Sequence, residues 1–211
     1  MLHSPAKGGE SMVPTRFSRR DWLLWSLAGS TAWFLFHPQD SVPAIDAFLF
    51  ALGAGVCVTL QCLILCRAVT ELRAHVLWLL SAGLWVAAGA VFLWLPWSQW
   101  SEGVAEVVFF SSIAILWLIT GVLQRIALSP LILGSRMWTF VPLAAALLAM
   151  VLTTQINLAL LRSNLILTIG WPQFFNFLGS LFGLLYGAMT GAVAYALLAR
   201  RVPAHSLTER A

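Results

Sequence analysis

Six apolar runs, at about residues 20–36, 47–66, 75–96, 104–128, 138–156 and 173–199, dominate this chain and hold few Asp, Glu, Lys or Arg residues. A bilayer core of about 30 Å takes about 20 apolar residues of helix to cross, and within it each backbone polar group must be bonded inside its own segment. Runs of this length read as spanning helices, because barrel strands would be shorter and would alternate. Composition agrees: 60% of the residues are hydrophobic and 9% are charged, far from the balance of a soluble domain. The expected fold class is all-α, a polytopic integral membrane helix bundle of about six transmembrane helices arranged as three tandem helical hairpins. The first run is the weakest. Residues 22–36 rise only about 23 Å, so crossing needs help from Phe17, from snorkelling arginines or from local thinning.

Three regions follow. Residues 1–21 read as a flexible cytoplasmic tail, 22–201 as the six-helix transmembrane domain, and 202–211 as a short cytoplasmic tail. The stretch "FSRRDWLL" resembles a twin-arginine export signal, but no small-residue cleavage site follows it, and a basic flank is what an inward-held first helix needs.

Cations accumulate on the cytoplasmic side of a membrane, which orients the spans. With both termini inside, the inner segments hold Lys7, Arg16, Arg19, Arg20, Arg67, Arg73, Arg125, Arg136, Arg200, Arg201 and Arg210, eleven of the twelve basic residues. Only Arg162 falls outside. The net charge of +4 is thereby accounted for without a nucleic-acid partner. The expected location is a bacterial inner (plasma) membrane, with a thylakoid membrane as the alternative.

The last run contains "GSLFGLLYGAMTG", with glycines at 179, 183, 187 and 191. Four residues advance about 400° on an α-helix, so these positions form one slowly drifting face. Lipid tails are as apolar as leucine, so helices in a bilayer gain from the close backbone approach that small residues permit. The stripe is therefore a helix-packing seam. Ala47, Ala51, Gly55 and Thr59 repeat it in the second run, and Gly83 and Ala87 extend it to the third. Packing within the chain is the simpler use; an oligomer seam is the sharper one.

The chain reads as three copies of one unit, a tryptophan-led helix followed by a helix rich in small residues that ends at a basic turn. The copies begin at "WLLWSLAGSTAWFLF", "HVLWLLSAGLWVAAGAVFLW" and "RMWTFVPLAAALLAMVL". Gln61 in "TLQCLIL" matches Gln124 in "VLQRIAL", and the third copy has Ala194 there. The leading tryptophan, the glycine-spaced second helix and an ending like "LQCLILCR" resemble uncharacterised multi-spanning bacterial membrane proteins, familiar from cyanobacteria, built from repeated two-helix units. The likeness covers about Trp22 to Arg201. This chain departs from the pattern at Ile113 and Trp117, which stand in place of glycines, and in the third unit's missing glutamine. The resemblance implies fold and topology and brings no activity with it.

Gln61 and Gln124 are costly in hydrocarbon unless bonded, so both are expected in the polar bundle interior, bonding each other or a nearby carbonyl. With no buried carboxylate, lysine or histidine beside them they make a poor ion relay and better structural glue. Cys57, Cys62 and Cys66 share one span without a histidine or acid, so they read as small apolar filler rather than metal ligands. His37, Asp40, Asp46, Glu102 and Glu106 lie on one side and would bind a divalent metal only by converging; ordinary solvated loops are the expectation. Trp94, Trp97, Trp100 and Trp171 read as an interfacial belt. Residues 156–173 are left as an oblique extension of the fifth span, an interfacial element or a loop.

No Ser-His-Asp order with a supporting glycine elbow, no HExxH, no nucleotide loop and no CxxC occurs, so no catalytic residue, metal or cofactor is assigned. The expected function is a non-enzymatic structural or interaction subunit packing through its small-residue faces, with the lipid bilayer as environment and a homo-oligomer or membrane protein as partner. The alternative is a small transporter or channel for an uncharged or lipid-like solute, with a path near Gln61 and Gln124.

Overall fold

The computed structural model describes residues 17–35, 43–69, 71–129, 132, 135–162 and 171–198. The expectations for the tails at 1–16 and 199–211, for His37 and Asp40, and for residues 163–170 lie outside these. Six helices are described: α1 Arg19–Leu35, α2 Pro43–Leu65, α3 Leu72–Trp94, α4 Glu102–Leu128, α5 Val141–Arg162 and α6 Trp171–Leu198. Short 3-10 turns at Trp97–Gln99 and Ser135–Thr139 precede α4 and α5. Five helices, all except α1, are long and apolar enough to cross a membrane, which makes the chain a multi-pass membrane protein by helix hydropathy. At 17 residues α1 rises only about 26 Å.

Local sequence sets the helix ends. Ser18 and Asp21 form a reciprocal cap on α1: the Ser18 backbone N–H and hydroxyl donate to Asp21 Oδ2 at 2.8 and 2.7 Å, and the Asp21 N–H donates to Ser18 Oγ at 3.2 Å. Phe17, just before this cap, is buried edge-on against Trp25, with ring centroids 5.8 Å apart. Beyond α2 the chain turns tightly, and the His75 ring bonds the Val69 carbonyl at 2.7 Å across that turn. The helix α5 runs on to Arg162, so residues 156–162 continue the fifth helix, and α6 begins at Trp171.

Successive helices are neighbours, and α6 packs on α1 to close the ring. The most extensive pairs are α1 with α6 and α2 with α3, while α4 and α5 touch least among neighbours. One end of the bundle carries Arg19, Arg20, Arg67, Arg73, Arg125 and Arg136; the other carries Asp46, Glu102 and Glu106. We refer to these as the basic and acidic ends.

Small residues make the close pairs. Gly29 and Gly183 face each other so closely that a β-carbon on either would fall inside the other's backbone carbonyl. A β-carbon on Gly187 would sit 2.8 Å from Ser26 Cα, and one on Gly191 would sit 2.7 Å from the Trp22 ring. Gly179 is buried on the same helix, and the neighbouring Ser180 and Ser30 hydroxyls meet at 2.8 Å. The glycine stripe is therefore covered by α1 of its own chain. On α2, Ala47, Ala51 and Gly55 are buried, with Gly55 against Ala82, Trp85 and Val86 of α3, and Thr59 back-bonds to the Gly55 carbonyl at 2.8 Å. The third-helix part of the seam is corrected. Gly83 and Ala87 are exposed and Gly83 faces open space, whereas Gly89 is the glycine that packs, on Ala51 and Phe48. Helix period alone chose the wrong side of α3, about 100° round from Ala82 and Val86, because the side that meets α2 is chosen by the partner's shape.

Most tryptophans point inward. Trp25, Trp33, Trp78, Trp85, Trp117 and Trp138 are almost fully buried, and Phe50 meets rings from α1, α3, α4 and α6. Of the tryptophans expected in an interfacial belt, Trp94 is 88% exposed, but the Trp97 indole is buried and donates to the Phe92 carbonyl at 2.6 Å. The reason is the break at Pro96, which turns the chain back over the end of α3 and carries the ring with it.

Candidate functional site

Indole N–H groups buried in a bilayer need an acceptor, and three find one on another helix. Trp25 Nε1 donates to Thr190 Oγ1 at 3.0 Å, Trp85 Nε1 to Thr120 Oγ1 at 2.9 Å, and Trp138 Nε1 to Gln124 Oε1 at 2.9 Å. Thr190 can accept because its own proton goes back to the Tyr186 carbonyl at 2.9 Å. Each bond ties the interior of one helix to a neighbouring element: Trp25 of α1 to α6, Trp85 of α3 to α4, and Trp138 of the turn before α5 to α4. Replacing Thr120 by valine keeps the shape but strands the Trp85 N–H. The expected cost is about 1 kcal/mol, read as a lower unfolding midpoint in mixed micelles, against almost none for Ser129→Ala on the exposed end of α4.

Gln61 and Gln124 are each 1% exposed, so both lie in the bundle interior. Gln124 is held by Trp138 rather than by Gln61. The side-chain nitrogens of both glutamines, together with Trp78 Nε1, have no partner among the described residues.

A cavity lies elsewhere, between α4, α5 and α6. Its volume is about 360 Å³, and it is walled by Trp33, Phe50, Trp117 and Phe182 on the inside and by α5 on the outside. Phe110 of α4 and Leu147 and Met150 of α5 are exposed at its rim, so the mouth opens between α4 and α5, toward the lipid. Among the described residues no charged side chain lines it. Four of its wall residues, Trp33, Trp117, Thr153 and Asn157, carry a buried polar atom that has no hydrogen-bond partner among the described residues.

The cavity has a cause in the sequence. Counting from Gln124 and from Ala194, Ile113 and Trp117 of α4 occupy the places that Gly183 and Gly187 occupy in α6. In α6 those glycines let α1 touch backbone to backbone. In α4 the branched and indole side chains hold α5 away, and both line the cavity. One turn further, Gly121 takes the place of Gly191, and there the Thr139 carbonyl comes as close as a glycine allows. The two helices therefore meet at the basic end and part toward the acidic end. The substitutions at 113 and 117 were visible in the sequence as departures from a pattern, but their consequence depends on which helix faces them.

Among the described residues no three His, Cys, Asp or Glu side chains gather into a metal-binding group. Cys57 and Cys62 are buried and Cys66 is exposed, all as free thiols. Comparison with protein-family models, with curated proteins and with solved structures gives no match for this chain.

Proposed function

We propose that this chain is a six-span, non-enzymatic membrane protein that takes an uncharged, lipid-like molecule from the bilayer into the cavity between α4, α5 and α6. The cavity carries the reading. Its volume of about 360 Å³ lies in the range of small-molecule sites, its wall is apolar with a few polar groups, and its mouth faces lipid. A path past Gln61 and Gln124 gains no such support, since neither lines the cavity, and their burial suits internal glue. Association with another chain would have to use a surface other than the glycine stripe, which α1 covers.

The reading includes three tandem hairpins with both termini on the cytoplasmic side of a bacterial inner membrane, and kinship with the repeated two-helix membrane proteins that the sequence resembles. Support for the hairpins comes from Trp25, Trp78 and Trp138, one near the start of each unit, whose rings meet edge-on or tilted with centroids 5.7 and 5.9 Å apart. It also comes from the pairing, in which the first helix of each unit lies on the second helix of the unit before it, the third unit preceding the first. For α1 to span, the buried Phe17 lengthens its apolar stretch while Arg19 and Arg20 reach to the interface.

The test is extraction and mass spectrometry of molecules that co-purify with the protein in mild detergent. Wild-type protein is expected to retain an amphiphile at near-stoichiometric level, and Ala146→Trp, which projects an indole from α5 into the cavity, is expected to lose most of it while remaining monodisperse. Equal retention by both proteins would sink the reading.

A further inference from the structure

The helix α5 presents one face to the cavity, and that face changes character along its length. Leu143, Ala146, Leu147 and Met150 come first, then Thr153 and Asn157, all at the three- and four-residue spacing that keeps side chains on one side. The lining runs about 21 Å along the helix axis, apolar toward the basic end and polar toward the acidic end. Trp33, near the last turn of α1, stands at the polar end too.

The polar end is unsatisfied. Trp33 Nε1, Thr153 Oγ1 and Asn157 Oδ1 are buried without partners among the described residues, two potential donors and two potential acceptors if the hydroxyl is counted both ways. Each such group costs about 1–3 kcal/mol when left unbonded, and lipid tails offer it nothing. The described wall residues include no charged side chain, which makes a carboxylate or phosphate head a poor occupant, because an unpaired ion out of water is far costlier than a neutral polar group. Size narrows the choice further. At roughly 30 Å³ per water-sized group, the cavity holds about a dozen such groups, enough for one chain with a small head.

We infer that the occupant is a single-chain, uncharged amphiphile whose head carries a hydroxyl or carbonyl group, bound with its head at Trp33, Thr153 and Asn157 and its chain along α5 toward the basic end. This rests on the reading that the cavity takes a lipid-like molecule, and adds the head chemistry and the direction of binding. The head exchanges hydrogen bonds with the orphaned groups after small side-chain rotations, and the chain replaces lipid tail against Leu147 and Met150.

Binding of dodecanol, dodecane and dodecanoate to the full chain is measured in a steroid-based detergent, which carries no alkyl tail to compete. Dodecanol is expected to bind five- to tenfold more tightly than either of the others, an effect of about one net hydrogen bond. Thr153→Val and Asn157→Leu, neither of which touches the central aromatic column, are each expected to weaken dodecanol about five- to tenfold and to leave dodecane unchanged. Dodecane or dodecanoate binding as well as dodecanol, or dodecanol binding that ignores both variants, overturns the inference. Where that occurs while Ala146→Trp still strips the co-purified amphiphile, the lipid-binding reading stands and only the head assignment falls; where Ala146→Trp strips nothing, both fall.

Discussion

Gly183→Leu is expected to detach α1 from the bundle. The new side chain would begin inside the Gly29 carbonyl, and on its other side it would meet the Trp33 ring. A flexible neighbour gives way to an added methylene, but a backbone carbonyl in a helix cannot move without breaking its own hydrogen bond. Overpacking costs about 1–3 kcal/mol where side chains can shift, so this site belongs at or above the upper end of that range. The gain in helix propensity from Gly to Leu recovers less than about 1 kcal/mol. The paired control is Gly83→Leu on α3, where a β-carbon meets nothing within 4 Å. Denaturant midpoints in mixed micelles, with protease access to the first helix, should separate the two: a large loss for Gly183→Leu and little change for Gly83→Leu. Should Gly183→Leu stay folded and merely change oligomeric state, the stripe would lie between chains and the ring closure of α1 on α6 would be wrong.

Trp78→Ala should be the most damaging truncation at the basic end. Trp78 is fully buried and is the middle ring of three, between Trp25 and Trp138. In water such a change costs about 3–5 kcal/mol, part transfer and part cavity. In a bilayer the transfer part shrinks, since the unfolded helices are already in hydrocarbon, and what remains is lost packing. The expected loss is therefore near 3 kcal/mol. Trp94→Ala, at a site 88% exposed, removes an equal volume with almost no effect on the midpoint. A Trp78→Ala protein as stable as wild type would mean that the ring column adds nothing to the bundle.

Several features were legible because they are local. Helix boundaries came within four residues except at the end of α5, which runs six residues past 156, the burial of Gln61 and Gln124 followed from the cost of an amide in hydrocarbon, and the glycine face of α6 followed from a four-residue spacing. The Thr190 back-bond to Tyr186 is of the same local kind. The partner of Gln124 was not legible: Trp138 lies fourteen residues on, in a 3-10 turn that hydropathy does not distinguish from the helix that follows. Nor was the inward turn of Trp97, which depends on where the chain goes after Pro96.

By itself the sequence determined that this chain is helical, that it belongs in a bilayer and that certain helix faces are small enough for close approach. Those properties are sums over neighbouring residues, and neither a span's hydropathy nor a glycine's lack of a β-carbon depends on what lies opposite. Only the tertiary structure decided that α1 covers the glycine stripe, that Gly89 rather than Gly83 packs, and that a cavity opens between α4 and α5. A gap is a property of two surfaces. Ile113 and Trp117 are ordinary apolar residues along α4, and they make a cavity only because α5, held close at Gly121, cannot follow them outward.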